Sequence, residues 1–274
     1  LSGWSPVTTQ VVDFSARSRT GPLAGAVYLP QHFKGQGYTT ARLDKIFHIG
    51  ADDPASWNIS EEPFRDEQGQ FKAIWTGIEA EKLGLTDRVI RQGRYATVRG
   101  ETGFYQVLDD VEDEALFDGR NATRAVELLE RFAGTGESYF LAVGFRRPHL
   151  PWIAPRRYFD RYPPGEIELP PEQPGLVPPR DDRVHREMIS HYFAALTFAD
   201  AHVGRVLSAL RRLQLDDNTI VVLFGDHGYC LGERDNFFAK GNLWERSLRT
   251  SLMIGLPDGH QAGMVCNEPV ELLD

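Results

Sequence analysis

The sequence predicts an α/β fold built on a mostly parallel sheet with helices on both faces, and two observations predict it. Short, almost wholly apolar runs suited to buried strands alternate with longer stretches whose apolar residues recur at helical spacing. Three of the runs also deliver polar side chains at their carboxyl ends, and parallel strands joined by right-handed crossovers bring such ends to one edge of a sheet. Ligands of open parallel sheets sit there.

Taken in order, Leu29 to Gln36 reads as a short helix with Pro30 in its first turn, and Tyr38 to Asp44 as a strand. Lys45 and His48 follow at the strand's end, three residues apart. A surface lysine beside a core histidine accounts for that pair as readily as a site does. From Asp52 to Phe117 the pattern is polar and irregular, either an excursion that shapes a substrate entrance or a short antiparallel excursion with no direct role. The Asp52-Asp53, Asp109-Asp110, Asp181-Asp182 and Asp216-Asp217 pairs read as solvated loop charges.

Asn121 to Ala133 carries apolar residues at 122, 125, 126, 129 and 132, an amphipathic helix with Asn121 as its N-cap. Tyr139 to Phe145 is the next buried strand, and it runs into Arg146, Arg147, Pro148, His149, Leu150 and Pro151. His149 stands between two prolines, which restrict the backbone whether the ring is structural or functional. Seven prolines between Pro163 and Pro179 make residues 160–182 a second irregular excursion. His185 to Leu213 restores a long helix, on which His191 and His202 read as structural or exposed.

Thr219 to Leu223 is then a strand expected to be buried on both faces, ending at Asp226, His227 and Gly228. Lys240 lies fourteen residues beyond Asp226. An Asp-His-Gly after a strand serves a plain turn as well as a metal-and-anion site. Trp244 to Arg249 reads as a helix, Thr250 to Leu256 as a further buried strand, and the last residues, EPVELLD, as the start of another helix.

Composition narrows the classes of function. The 274 residues, 41% hydrophobic and 25% charged, suit one large soluble α/β domain or part of one. A formal charge of −9 argues against broad binding of nucleic acid or acidic membranes, while leaving room for a local basic pocket. No apolar run approaches the roughly 18 residues of a membrane span. Cys230 and Cys266 define neither a disulfide framework nor a compartment.

Several segments together resemble one family. GDHGYCLGERDNFFAK is similar to the SDHG…LGEHG…K segment of the type I sulfatases, with Arg234 where their His usually stands. DKIFHIG resembles GKVFHPG, with Asp44 in place of Gly and Ile49 in place of Pro, and FLAVGFRRPHLPW resembles FLAVGYHKPHIPF. These segments are most similar to the iduronate-2-sulfatase branch. The opening LSGWSPVTTQVVDF resembles the stretch that follows the nucleophile motif, and RTSLMIGLP resembles a later strand.

The resemblance implies an alkaline-phosphatase/sulfatase-like domain, incomplete over 1–274, hydrolysing sulfate esters of a sulfated sugar or glycan. It implies a formylglycine nucleophile and a calcium ion, with Asp226 and His227 as metal-site residues. Lys45, His149, His227 and Lys240 would contact the sulfate; His149 would be the acid for the leaving alkoxide, and His48 would help release sulfate from the formylglycine. The family's Cys-x-Pro-x-Arg signature is absent, since Cys230 to Arg234 reads CLGER, so the nucleophile and the remaining calcium ligands are expected upstream of Leu1 and the 274 residues alone are expected not to turn over. A periplasmic, secreted or lysosomal location is likewise implied. Two rivals stand: a phosphoester or phosphonate hydrolase of the same superfamily, with further His and Asp ligands in place of Lys240, and a catalytically empty module that binds sulfated glycans.

Overall fold

The structure is a computed structural model that describes residues 1–11, 19–47, 52–61, 94–98, 101–171, 181–257 and 259–272. After a single helical turn, α1 (Pro6–Thr9), and the short helix α2 (Leu29–Gly35), strand β1 (Thr39–Leu43) enters the interior. It pairs in parallel with β2 (Ile59–Glu61) on one side and β5 (Tyr139–Val143) on the other. Side-chain alternation along β5 puts its two faces in different company. Phe140 stacks on Phe33 of α2 at 4.9 Å between ring centroids, whereas Tyr139, Leu141 and Val143 pack with Leu128 and Phe132. Those two belong to α3 (Phe117–Thr135), so helices cover both faces of this sheet, as the sequence predicts for the α/β class.

Helix α3 begins at Phe117, four residues before the expected cap, because Phe117 and Ala122 both find apolar burial and extend the helical stripe backwards. Asn121 is therefore not the N-cap. It lies inside the helix, buried, and its amide serves the sheet edge described below.

Beyond β5 the chain turns into β6 (Trp152–Pro155), which pairs in parallel with β4 (Glu101–Leu108); β4 in turn pairs antiparallel with β3 (Arg94–Val98). Part of the excursion at 52–118 is thus a hairpin. The second excursion passes through a short turn, α4 (Arg156–Phe159), and a 3₁₀ segment at Pro164–Glu166. Helix α5 (Asp182–Arg212) then runs for 31 residues, capped by the Asp181 carboxylate on the Val184 amide. Two further elements follow the last strands' loop: α6 (Glu245–Leu248), shorter than the predicted helix, and β8 (Leu252–Gly255).

Four expectations are corrected. Strand β7 (Val221–Phe224) pairs antiparallel with β8, and among the described residues it makes no ladder to β5. Neither strand is buried on both faces: Val222 is 52%, Phe224 49% and Ile254 61% exposed. Only Val221 is covered, packing with Leu129 and Leu210 of the two long helices. The Tyr139 hydroxyl meets the Thr219 hydroxyl at 2.7 Å, holding the start of β7 beside that of β5. No helix forms over residues 268–272.

The fourth correction concerns Asp52 and Asp53, which are not solvated. Arg42 lies buried in strand β1, and a buried guanidinium needs a counter-charge. Asp52 supplies it at 2.7 Å, while Asp53 takes Arg19 at 2.6 Å and the Ser56 hydroxyl at 2.5 Å.

Candidate functional site

The carboxyl ends of β1 and β5 lie side by side because Gly144 permits it. A Cβ on Gly144 would stand 2.6 Å from the Lys45 carbonyl oxygen, so only glycine lets the two backbones pass this closely. Asp44, at φ +59°, turns the chain left-handed as it leaves β1 and presents Lys45 at the sheet's edge. Its carboxylate accepts from Arg146 Nε at 2.6 Å and Nη2 at 2.8 Å, a bidentate pair whose side chains are 0% and 7% exposed. Asn121 donates to the same carboxylate and to the Gly144 carbonyl, each at 3.0 Å.

The turn after β5 is held at several points. The Asp118 carboxylate accepts the backbone N–H groups of Arg146 and Arg147 at 2.9 and 3.0 Å; burial pushes this carboxyl up to about 6, against the opposing pull of Arg147. The His149 amide donates to the Arg146 carbonyl at 2.7 Å, and the Trp152 indole N–H donates to Pro148 at 2.9 Å. His149 Nδ1 donates to the Leu150 carbonyl at 2.8 Å, which fixes the ring proton on Nδ1 and leaves the lone pair on Nε2.

Trp152 then brings the third strand's loop into place. Wholly buried, it packs against Tyr229 and Phe238, with centroids 6.2 and 5.9 Å away. These rings flank the loop between Asp226 and Lys240, which closes on itself through Cys230 N–H to the Ala239 carbonyl at 2.9 Å and Tyr229 hydroxyl to the Phe238 carbonyl at 3.0 Å. Gly228 serves a close approach: a Cβ there would run into the carbonyl oxygens of Arg246 and Arg249. Arg234, at the family's histidine position, turns to the Trp244 ring, 5.4 Å from its centroid.

The electrostatics bring four of the predicted residues to one place. Burial pushes the His149 imidazole down to about 3, helped by the positive charges of Lys240 and Lys45. Burial and the neighbouring Lys45 also lower Lys240, opposed by Asp226. Two ammonium groups from distant parts of the chain thus share a half-buried locus with a neutral histidine, a place where an anion is stabilised and a cation is not. Asp226 stands beside them, with its carboxylate 69% exposed and 3.6 Å from His227 Nε2, beyond hydrogen-bond reach. His227 Nδ1 donates to the Gly228 carbonyl at 2.7 Å. His48 lies outside the described residues.

A calcium ion takes six to eight oxygen ligands. Asp226 offers one carboxylate and His227 an imidazole, and among the described residues no three His, Cys, Asp or Glu side chains cluster as a metal site. These residues alone therefore do not make a calcium centre.

Asp44, Arg146, Asn121, Asp118 and Trp152 were missed as site-building residues in the sequence. A readable signal existed for two of them: Asp44 and Arg146 are charged residues just past the ends of two strands, at positions where the resembling segments have Gly and His.

Residues that follow β1, β5 and β7 thus gather two lysines, a neutral histidine and an Asp-His pair in an α/β fold, a setting of positive charge that suits a small anion. The chain belongs to the sulfatase family, whose model, described as Sulfatase, matches residues 1–274. It is 30% identical to a sulfatase of Formosa agariphila, over 100% of this chain and 56% of that protein. It is 28% identical to the iduronate 2-sulfatase of Mus musculus, over 94% of this chain and 50% of that protein. In fold it matches the phosphonate monoester hydrolase of Silicibacter pomeroyi with a TM-score of 0.66 at 19% identity, covering 94% of this chain and 57% of the other. The chain thus spans about half the length of the curated relatives it matches.

Proposed function

We propose that the protein is a sulfuric ester hydrolase acting on a sulfated sugar or glycan, with Lys45, Lys240 and His149 at its sulfate site. What supports this reading is that Lys45 and Lys240 lie near enough to His149, and to each other, for their charges to lower its pKa and that of Lys240. A sulfate ester group presents three oxygens and one negative charge. The two lysines would hold two of those oxygens and gain strength from the half-buried setting, where Coulomb attraction is less screened than in water. As the S–O bond to the sugar breaks, the departing alkoxide needs a proton, and His149 is the group placed to give it.

Before substrate arrives His149 is neutral. The incoming anion offsets the two ammonium charges and favours the imidazolium, so the acid is generated by the substrate it will protonate. The nucleophile in this reading is formylglycine and the Lewis acid is calcium, both completed from outside the described residues; Asp226 would be one metal ligand, with His227 beside the metal and the sulfate. His48 retains its proposed part in releasing sulfate.

The resemblance to sulfated-sugar enzymes supports the substrate class: the iduronate 2-sulfatase of Mus musculus and an ulvan-active sulfatase of Formosa agariphila are both similar to this chain. No helix among the described residues is long and apolar enough to cross a membrane. A periplasmic, secreted or lysosomal location belongs to the same reading. Paired assays of the full-length protein on an aryl sulfate and the matching aryl phosphate test it. Turnover of the sulfate, abolished in K240M and H149A, is expected; preferential turnover of the phosphate would favour the phosphoester rival, and sulfated-glycan binding without turnover of either would favour the empty module.

A further inference from the structure

We infer that the buried Asp44–Arg146 ion pair is the positioning device that sets Lys45 against His149, and that its loss slows turnover without requiring loss of the fold. The inference rests on the sulfatase reading above. Asp44 directly precedes Lys45, and Arg146 is three residues before His149 and accepts the His149 amide at 2.7 Å. The two-point guanidinium–carboxylate contact fixes the distance and the rotation between these backbones together, which a single hydrogen bond would not.

The rest of the surroundings keep the pair rigid. Arg146 lies over the Phe117 ring, 3.9 Å from its centroid, Asp118 grips its amide, and Asn121 ties the Asp44 carboxylate to the Gly144 carbonyl. Asp44 also sits in the left-handed region, which a short polar side chain tolerates and most residues resist. Both members stand where the resembling segments have Gly and His. Geometry held by packing and outer hydrogen bonds is what lets a displacement of about 1 Å cost roughly a hundredfold in rate.

The test uses full-length wild type, H149A, D44N, R146M, the double variant D44N/R146M, and R146K, with kcat and KM on an aryl sulfate and a thermal melt for each. The single variants D44N and R146M should melt lower and lose about tenfold to a hundredfold in kcat. The double variant removes both buried charges at once, so its melting temperature should return towards wild type. Its kcat should stay low, because the tether is still gone, and R146K should be intermediate. Recovery of kcat together with stability in the double variant, or unchanged kcat in well-folded single variants, overturns the inference while leaving the sulfatase reading intact. A wild type inactive on the sulfate, or an H149A variant that keeps full activity, sinks the sulfatase reading and this inference with it.

Discussion

Trp152 donates its indole N–H to the Pro148 carbonyl at 2.9 Å while its ring, wholly buried, packs against Tyr229. One side chain therefore clamps the His149 turn and seats the loop that carries Asp226 and Lys240. Two changes separate its duties. W152A should cost about 3–5 kcal/mol, the usual loss for emptying a large aromatic site. W152F keeps most of the packing and drops the bond to Pro148. Chemical denaturation should find W152F much the more stable, with its sulfate-ester turnover nonetheless reduced.

Lys240 and His149 repel through the imidazolium, which fixes the sign of a second experiment. In K240M the His149 pKa should rise, measured from its ring resonances. Inorganic sulfate should bind roughly ten- to hundredfold more weakly, the worth of one charge-assisted hydrogen bond. A His149 pKa that stays put or falls in K240M would mean that the two groups do not share the site.

The depressed His149 pKa also couples stability to pH. The folded state keeps the ring neutral down to about 3, while the unfolded chain takes up a proton near 6.5. The unfolded state therefore binds more protons across that window, and stability falls as pH drops through it. Asp118, raised to about 6, works the other way between 3.8 and 6, so the test is the difference between wild type and H149Q. Urea titrations should show the variant losing less stability than wild type between pH 6.5 and 4. Sulfate, which favours the imidazolium, should bind more tightly as pH is lowered.

Asp118 is fully enclosed, and both its oxygens accept backbone N–H groups at the start of the His149 turn. D118N replaces one acceptor with a donor that faces another donor. It should cost about 1–3 kcal/mol, the penalty for a buried group left unsatisfied. A melting temperature equal to wild type would show that the turn holds without this grip.

The α/β class, the helical stripes of α3 and α5 and the strands β1 and β5 were legible because burial imposes a pattern on the residues that experience it, and β7 from its β-branched, apolar run. Lys45, His149, Asp226 and Lys240 could be singled out as candidates because each stands at or just beyond the end of such a run or in the loop that follows. Less could be read of what joins them. Asn121 follows the cap rule by type, yet Phe117 extends the helix past it, and its amide is needed 77 residues away at Asp44. Asp52 and Asp53 look like any polar loop until Arg42, buried in β1, demands a counter-ion. The apolar run of β7 predicted cover on both faces, and that pattern records what a strand can bury, not what lies over it here.

That uncovered ribbon has a practical consequence. Ile220, Val222 and Phe224 alternate along one face of β7, and Leu252 and Ile254 stand opposite Phe224 and Val222 on β8, all of them exposed. A greasy surface bounded by strand edges that, among the described residues, pair with no further strand is adhesive, inviting other copies to add strands of their own. Purified as these 274 residues, the protein should scatter light increasingly with concentration. The paired changes V222K and I254E, which place opposite charges across the two strands, should keep it clear.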